Sequence, residues 1–170
     1  MYFAAFLNLQ NKTCLVVGGG KVAERRIGKL VRAGAKVTVV SPDLTATLAE
    51  WAEQGVIVHR DRQYQAADLA GAQLVFAATN VREVNDRVTD DAKRQGVWVN
   101  VADNPDACDF IVPSVVEQPS VHIAISTLGA SPSTTKALRE ALEADLADGG
   151  RRFYEQLEHL RGKGLGAGNE

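Results

Sequence analysis

The chain has few of the residues that mark secreted, membrane or nucleic-acid-binding proteins. Only two of its 170 residues are cysteines, Cys14 and Cys108, and they form no Cys-x-x-Cys motif. We therefore expect reduced thiols in a cytoplasmic protein. The apolar start, Met1 to Phe6, lacks the basic region and cleavage site of a signal peptide, and no run approaches the roughly 20 apolar residues of a membrane helix. The net charge of -2 gives no general reason to bind nucleic acid.

Clusters typical of metal or hydrolytic sites are also missing. None of the three histidines, His59, His122 and His159, has a ligand-like neighbour in the sequence, so no metal site is predicted. Ser131 lies in no Gly-x-Ser-x-Gly elbow, and since Pro132 follows it, an N-cap is the natural interpretation.

The most informative pattern is a glycine turn between an apolar strand and a helix. Residues Leu15 to Ala23 read Leu-Val-Val-Gly-Gly-Gly-Lys-Val-Ala. Gly18, Gly20 and Ala23 match the Gly-x-Gly-x-x-Gly/Ala fingerprint, which serves a tight turn, close approach to a pyrophosphate, and packing of helix on strand. The N–H groups and dipole of the helix start would hold the anion. A plain structural turn is the alternative.

The surroundings of this turn favour the phosphate site. Thr13 to Val17 is a short apolar run suited to a buried strand, and a helical stripe of Ala23, Ile27, Leu30 and Val31 ends near Gly34. Further strands are predicted at Lys36–Val40, 56–59, 74–78 and 97–101, with helical patterns between them. This alternation to about residue 102 predicts an α/β fold, a Rossmann-like doubly wound parallel sheet.

Beyond this region the pattern changes to a small β-hairpin followed by helices. Apolar runs at 110–116 and 121–126 predict antiparallel strands, a helix starts at Ser131-Pro132, and a last helix follows Asp148-Gly149-Gly150. We expect a dinucleotide-binding domain over 1–112, a dimerisation and substrate region over 113–150, and a helix with a flexible tail over 151–170. About 55 residues are few for independent folding, so a homodimer is expected, with packing on the same sheet as the alternative.

Candidate site residues follow the predicted strands, because ligands bind beyond the carboxyl ends of parallel strands. Thr79 and Asn80 follow the fourth strand. Asp103 follows the fifth and is the carboxylate placed where a nicotinamide and its substrate would meet; the alternative is a solvated turn.

An acid usually closes the second strand to bind the adenosine ribose. Ser41 stands there instead, and Asp43 is either the ribose acid or part of a Ser41-Pro42-Asp43 helix start. No arginine follows the strand, which favours NAD over NADP. Four cations near predicted helix starts would form a solvated face or bind substrate carboxylates: Arg25, Arg26, Lys136 and Arg139.

Four segments carry a resemblance to a known family: Tyr2 to Leu9, Val-Gly-Gly-Gly-Lys-Val-Ala-Glu-Arg at 17–25, Asn-Val-Ala-Asp-Asn-Pro at 100–105 leading to Phe-Ile-Val-Pro-Ser at 110–114, and Ile-Ser-Thr-Leu-Gly-Ala-Ser-Pro at 125–132. They resemble the precorrin-2 dehydrogenase family, found alone or as the amino-terminal part of siroheme synthase. The resemblance implies oxidation of precorrin-2 to sirohydrochlorin with NAD on an intertwined homodimer, with Asp103 as general base. In bifunctional members this aspartate also takes part in Fe2+ insertion.

By the same resemblance, Lys21, Val22, Pro42 and Asp43 would line the cofactor site. Candidate substrate-binding residues are Asn100, Ser126, Thr127 and Gly129. Many relatives have a second serine where this chain has Thr127, and no methyltransferase domain follows in this sequence. Two other functions remain open from the residues: an NAD-binding regulatory sensor without catalysis, and a metallochelatase that needs no nucleotide.

Overall fold

The computed structural model describes residues 2–118 and 121–160. It divides into two compact units, Met1–Ile111 and Val112–Glu170. The glycine-rich tail at 162–168, predicted to be flexible, lies outside the described residues. Among the described helices, none has the length and apolar character needed to cross a membrane.

A five-stranded parallel sheet forms the centre of the first unit. Its strands are β1 (Thr13–Val17), β2 (Lys36–Val40), β3 (Val58–Arg60), β4 (Leu74–Ala77) and β5 (Trp98–Val101). The spatial order is β3-β2-β1-β4-β5, with every pair parallel. The chain therefore builds outward from β1 in both directions, which makes the carboxyl ends of β1 and β4 the switch point where such folds bind ligands. The doubly wound fold is confirmed.

Register brings the loops of the predicted site to one edge of this sheet. Val17 pairs with Val40 on one side and with Ala77 on the other, so β1, β2 and β4 end at the same level. Ala77 pairs in turn with Val101 at the end of β5. The residues that follow these four strands are consequently neighbours, although they come from four parts of the sequence.

Three helices cover the sheet: α1 (Lys21–Arg32), α2 (Ala46–Glu53) and α3 (Arg82–Gln95). The predicted stripe of α1 is present, with Ala23, Ile27 and Leu30 buried. On the other side, α3 buries Val88 and Ala92 in a core cluster with residues of the sheet. The central strands β1 and β4 are buried on both faces because helices cover both.

The connection from β3 to β4 differs from the predicted alternation. It contains a short 3-10 helix, Ala66–Leu69, rather than an α-helix, and β3 begins two residues later than predicted. Asp68 is buried within this connection and accepts hydrogen bonds from Arg60, Arg62 and the backbone N–H of Gln65. A cluster of charge and hydrogen bonds stabilises the crossover where a packed helix was expected.

The second unit is the predicted hairpin and helix pair. The strands β6 (Ser114–Gln118) and β7 (Val121–Ile125) are antiparallel, and α4 (Pro132–Ala147) and α5 (Arg151–Leu160) follow. Ser131 is the N-cap of α4 as predicted, since its Oγ accepts a hydrogen bond from Thr134 N at 3.3 Å. No residue of α4 is buried. In its predicted apolar stripe of Leu138, Leu142 and Leu146, Leu138 is 48% exposed.

Candidate functional site

A cavity of about 1060 Å³ opens at the carboxyl ends of the central strands, entirely within the first unit. Its walls are the glycine turn, the start of α1, and the loops that follow β2, β4 and β5. Nine of the predicted site residues line it: Gly18, Gly20, Lys21, Val22, Pro42, Asp43, Thr79, Asn80 and Asp103. The structure therefore brings the proposed cofactor residues and the proposed base to one site.

The glycine turn leaves room for a phosphate. Gly18 has φ of +116°, and an added Cβ would lie 2.4 Å from Ala78 O, so the fold itself requires this glycine. Gly20 is different, because its φ of -84° is ordinary and an added Cβ would meet no protein atom within 4 Å. Neither the backbone nor packing requires a glycine there. A ligand that approaches the backbone closely would require a glycine at this position, as a dinucleotide phosphate does.

The start of α1 is suited to the same anion. Its N-cap is Gly20, and no side chain caps the helix. The N–H groups of a first helical turn have no partner within the helix, and the helix dipole makes that end positive. With a cavity in front of them, these donors are placed to bind a diphosphate.

The residue at which α2 begins decides between the two interpretations of Asp43. The helix starts at Ala46, and its N-cap is Thr45, whose Oγ1 accepts a hydrogen bond from Leu48 N at 3.3 Å. The interpretation of Ser41-Pro42-Asp43 as a helix start is therefore wrong. Asp43 is exposed and lies in the cavity wall, and its role as the ribose acid stays a prediction.

A buried amide joins the end of β4 to Asp103. Asn85 of α3 is 1% exposed. Its side-chain amide forms hydrogen bonds with the backbone N–H, the backbone carbonyl oxygen and Oγ1 of Thr79. Its Nδ2 also donates to Asp103 Oδ1 at 3.1 Å. The sequence-based prediction missed Asn85, although a polar residue at the buried helical spacing of Val88 and Ala92 was a usable signal.

Two predicted residues of the first unit lie outside the cavity wall. Asn100 is on β5 and buried, and its Nδ2 donates to Phe110 O at 2.9 Å. Its amide fixes the chain after β5, which is a structural role where substrate binding was predicted. Ala23 is fully buried in α1, as its part in helix packing requires.

The four predicted cations separate into two pairs. Arg25 and Arg26 line the cavity, whereas Lys136 and Arg139 form ion pairs along α4, with Glu140 for the lysine and Glu143 for the arginine. The solvated-face interpretation holds for the second pair.

Arg26 carries an uncompensated charge beside the cavity. It is half-buried, and its guanidinium lies 6.0 Å from the centroid of the Phe76 ring. Burial, with a smaller contribution from Arg25, lowers the pKa of Arg26. No carboxylate of the described residues forms an ion pair with it, which leaves the charge for an anionic ligand.

The remaining predicted substrate residues form the connection from β7 to α4 in the second unit. Thr127 Oγ1 accepts a hydrogen bond from Ser131 N at 3.0 Å and lies 3.1 Å from Thr135 Oγ1. Ser126 Oγ accepts one from Leu128 N at 3.0 Å. Leu128 has φ of +53° and Gly129 has φ of +89°, so side-chain hydrogen bonds hold a left-handed turn at this position.

Known proteins are similar to this chain in both sequence and fold. Residues 5–114 match the family described as "Putative NAD(P)-binding". A solved structure titled "SirC, precorrin-2 dehydrogenase" is 33% identical, with a TM-score of 0.76 over 85% of this chain and 71% of that one. This chain belongs to the precorrin-2 dehydrogenase family. The resemblance of the four sequence segments is thereby confirmed.

Curated members of the family are longer proteins. Siroheme synthase of Methylococcus capsulatus is 44% identical over 142 residues, which are 84% of this chain and 30% of that protein. Siroheme synthase of Nitrosomonas europaea is 40% identical over 163 residues, 95% of this chain and 34% of that protein. The chain therefore spans about a third of these relatives.

Proposed function

We propose that this protein is an NAD-dependent dehydrogenase that oxidises precorrin-2 to sirohydrochlorin in siroheme biosynthesis. The observation that carries the proposal is the position of Asp103 in the wall of the dinucleotide cavity. One of its carboxylate oxygens is held by Asn85, and the other takes no hydrogen bond from the residues that the structure describes. Membership of the precorrin-2 dehydrogenase family supports the choice of substrate.

The cofactor site is assigned to the glycine turn and its neighbours. The diphosphate would lie against Gly20 and the first-turn N–H groups of α1, and Asp43 would bind the adenosine ribose. Lys21, Val22, Pro42, Thr79 and Asn80 would complete the wall. A bound NAD would accept a hydride from the substrate, and the protein supplies the orientation and the proton acceptor.

The role of Asp103 follows from the balance of the reaction. Forming one new double bond in the tetrapyrrole removes a hydride and a proton from it. Asp103 would accept that proton at Oδ2 while Oδ1 stays bonded to Asn85, and the cavity would hold the two reaction partners in position. The same carboxylate is the proposed group for Fe2+ insertion, in which Fe2+ is a substrate.

The substrate is multiply carboxylated, and the charges of the site suit it. Arg26 and Arg25 are the proposed partners of its carboxylates, because a half-buried guanidinium without an acid binds carboxylates strongly. Ser126, Thr127 and Gly129 are proposed as further substrate contacts. The exposed Leu138 of α4 supports a homodimer in which this helix packs on a second copy.

Anaerobic assay with precorrin-2 tests the function. The wild type should form NADH in step with loss of precorrin-2, and Asp103→Asn should lower kcat by about 100-fold or more while NAD binding changes little. Asp106→Asn is the matched control, because Asp106 is an exposed acid of the same loop outside the cavity wall. NAD binding without any turnover by the wild type would favour the regulatory sensor. Iron insertion into sirohydrochlorin without dehydrogenation would favour the chelatase.

A further inference from the structure

The inward face of α3 contains a side chain that apolar packing does not explain. Asn85 is 1% exposed and shares this face with Val88 and Ala92, which are fully buried. Burying an amide is unfavourable by about 1–3 kcal/mol when its hydrogen bonds are unmade. The hydrogen-bond partners of the Asn85 amide must therefore explain why a polar residue occupies this buried position.

All four hydrogen-bonding positions of the Asn85 amide are used. Its Oδ1 accepts from Thr79 N at 3.2 Å and from Thr79 Oγ1 at 2.8 Å. Its Nδ2 donates to Thr79 O at 3.1 Å and to Asp103 Oδ1 at 3.1 Å. A backbone N–H only donates and a carbonyl oxygen only accepts, so these partners fix which end of the amide faces which loop.

The amide thus connects two loops of different function. Thr79 follows β4 and belongs to the proposed cofactor wall, whereas Asp103 follows β5 and is the proposed base. Within residues 2–118 and 121–160, Asn85 is the one side chain that bonds the Asp103 carboxylate. It occupies Oδ1 and leaves Oδ2 for the reacting proton.

We propose that Asn85 is a positioning residue that sets the Asp103 carboxylate relative to the cofactor site by holding Asp103 Oδ1 and the Thr79 loop at once. The inference rests on the proposed function, because it requires Asp103 to be the base. Asn85 exchanges no proton itself. Displacing a reacting group by about 1 Å can cost about 100-fold in rate, so the loss of this one amide should be kinetically large.

The test uses two substitutions of Asn85 and a matched control on the same helix. Asn85→Leu keeps the approximate size and removes both ends of the amide. Asn85→Asp keeps the acceptor end but places a second carboxylate beside Asp103. Thr89→Val is the control, because Thr89 is buried and its Oγ1 donates to Asn85 O at 2.8 Å without touching the amide.

The expected results separate positioning from folding. At saturating NAD, Asn85→Leu should lower kcat by about 100-fold and change KM for precorrin-2 much less. Thr89→Val should lose stability but keep kcat within about twofold of the wild type, since it removes one buried hydrogen bond. Asn85→Asp should alter the kcat–pH profile, because two adjacent carboxylates share protons and titrate as a coupled pair.

Double substitution distinguishes this inference from the proposed function. If Asn85 acts through Asp103, then Asn85→Leu combined with Asp103→Asn should be no slower than Asp103→Asn alone. Full additivity, or a folded Asn85→Leu with wild-type kcat at saturating NAD, would overturn the inference. Should Asn85→Leu fail to fold, an unchanged kcat–pH profile in Asn85→Asp would overturn it instead. Undiminished turnover by Asp103→Asn would reject Asp103 as the base, and with it this inference, whereas absence of turnover by the wild type would reject the proposed function itself.

Discussion

Arg62 binds the buried carboxylate of Asp68 with both terminal nitrogens, Nη1 to Oδ2 at 2.8 Å and Nη2 to Oδ1 at 2.6 Å. Arg60 adds a third guanidinium contact at 2.5 Å. Such a two-point pair is stronger and more directional than a single hydrogen bond. It anchors the crossover between β3 and β4, which has no α-helix to hold it on the sheet.

This pair predicts an acid-dependent loss of stability. The hydrogen bond from Arg62 is the largest cause that lowers the pKa of Asp68, to about 2. Since the unfolded value is about 3.9, the stabilisation is complete above that pH and is lost as the pH falls through about 2. It should amount to roughly 2 kcal/mol.

Urea unfolding of the wild type and Asp68→Asn checks this expectation. The difference in free energy of unfolding should be greatest near neutral pH and should shrink steeply below about pH 4. Asp61→Asn, which changes an exposed acid in the same connection, is the control. A difference that stays constant down to pH 2 would contradict the assignment.

Gly20→Ser should separate stability from cofactor binding. The N-cap backbone is extended, with φ of -84° and ψ of -175°, and space is open around the position of an added Cβ. A serine there can cap α1 and should stabilise the fold by a few tenths of a kcal/mol up to about 1 kcal/mol. Its hydroxyl would also occupy the donors that the diphosphate needs. We therefore expect a higher Tm but an NAD affinity at least about tenfold weaker, measured by calorimetry; equal affinity would argue against the phosphate site.

Arg26→Gln should weaken substrate binding more than cofactor binding. Losing one charge-assisted hydrogen bond corresponds to about a tenfold increase in KM for precorrin-2. Arg32→Gln alters an exposed arginine of the same helix outside the cavity wall and should leave KM unchanged. If both variants behave alike in steady-state kinetics, the charge at Arg26 is not used for substrate.

Leu138→Asp should disrupt the proposed dimer. A charge at position 138 opposes burial of this part of α4 against a second copy, whereas it costs the isolated chain little because Leu138 is already 48% exposed. Sedimentation should show the wild type at twice the chain mass of 18.2 kDa and the variant at the single mass. A wild type that sediments as a monomer at micromolar concentration would reject the dimer.

Local patterns were sufficient to predict most of the first unit. The run from Thr13 through Gly34 combines an apolar strand, a glycine turn, an amphipathic helix and a left-handed helix end, and each of these is encoded by neighbouring residues. The N-cap at Ser131 was found for the same reason. The doubly wound parallel sheet could also be predicted, because repeated strand and helix patterns permit few topologies.

The predictions fail where the local structure depends on contacts between residues that are far apart in the sequence. The 3-10 crossover depends on Asp68 meeting two arginines from β3 and the loop after it, which no local pattern shows. Ser41 and Thr45 are both good caps, and the folded chain uses the second. Asn85 and Asn100 are both buried amides, but only tertiary contacts reveal that one bonds Asp103, the proposed base, and the other secures the chain at Phe110.

The uncapped start of α1 has a practical consequence for handling the purified protein. No side chain caps its first turn, so without the proposed dinucleotide this turn should fray and exchange its amide hydrogens quickly. By mass action, NAD at about 100 times its Kd should add about 2.7 kcal/mol to the free energy of unfolding. Storage and crystallisation with the dinucleotide present should therefore give a more heat-resistant sample.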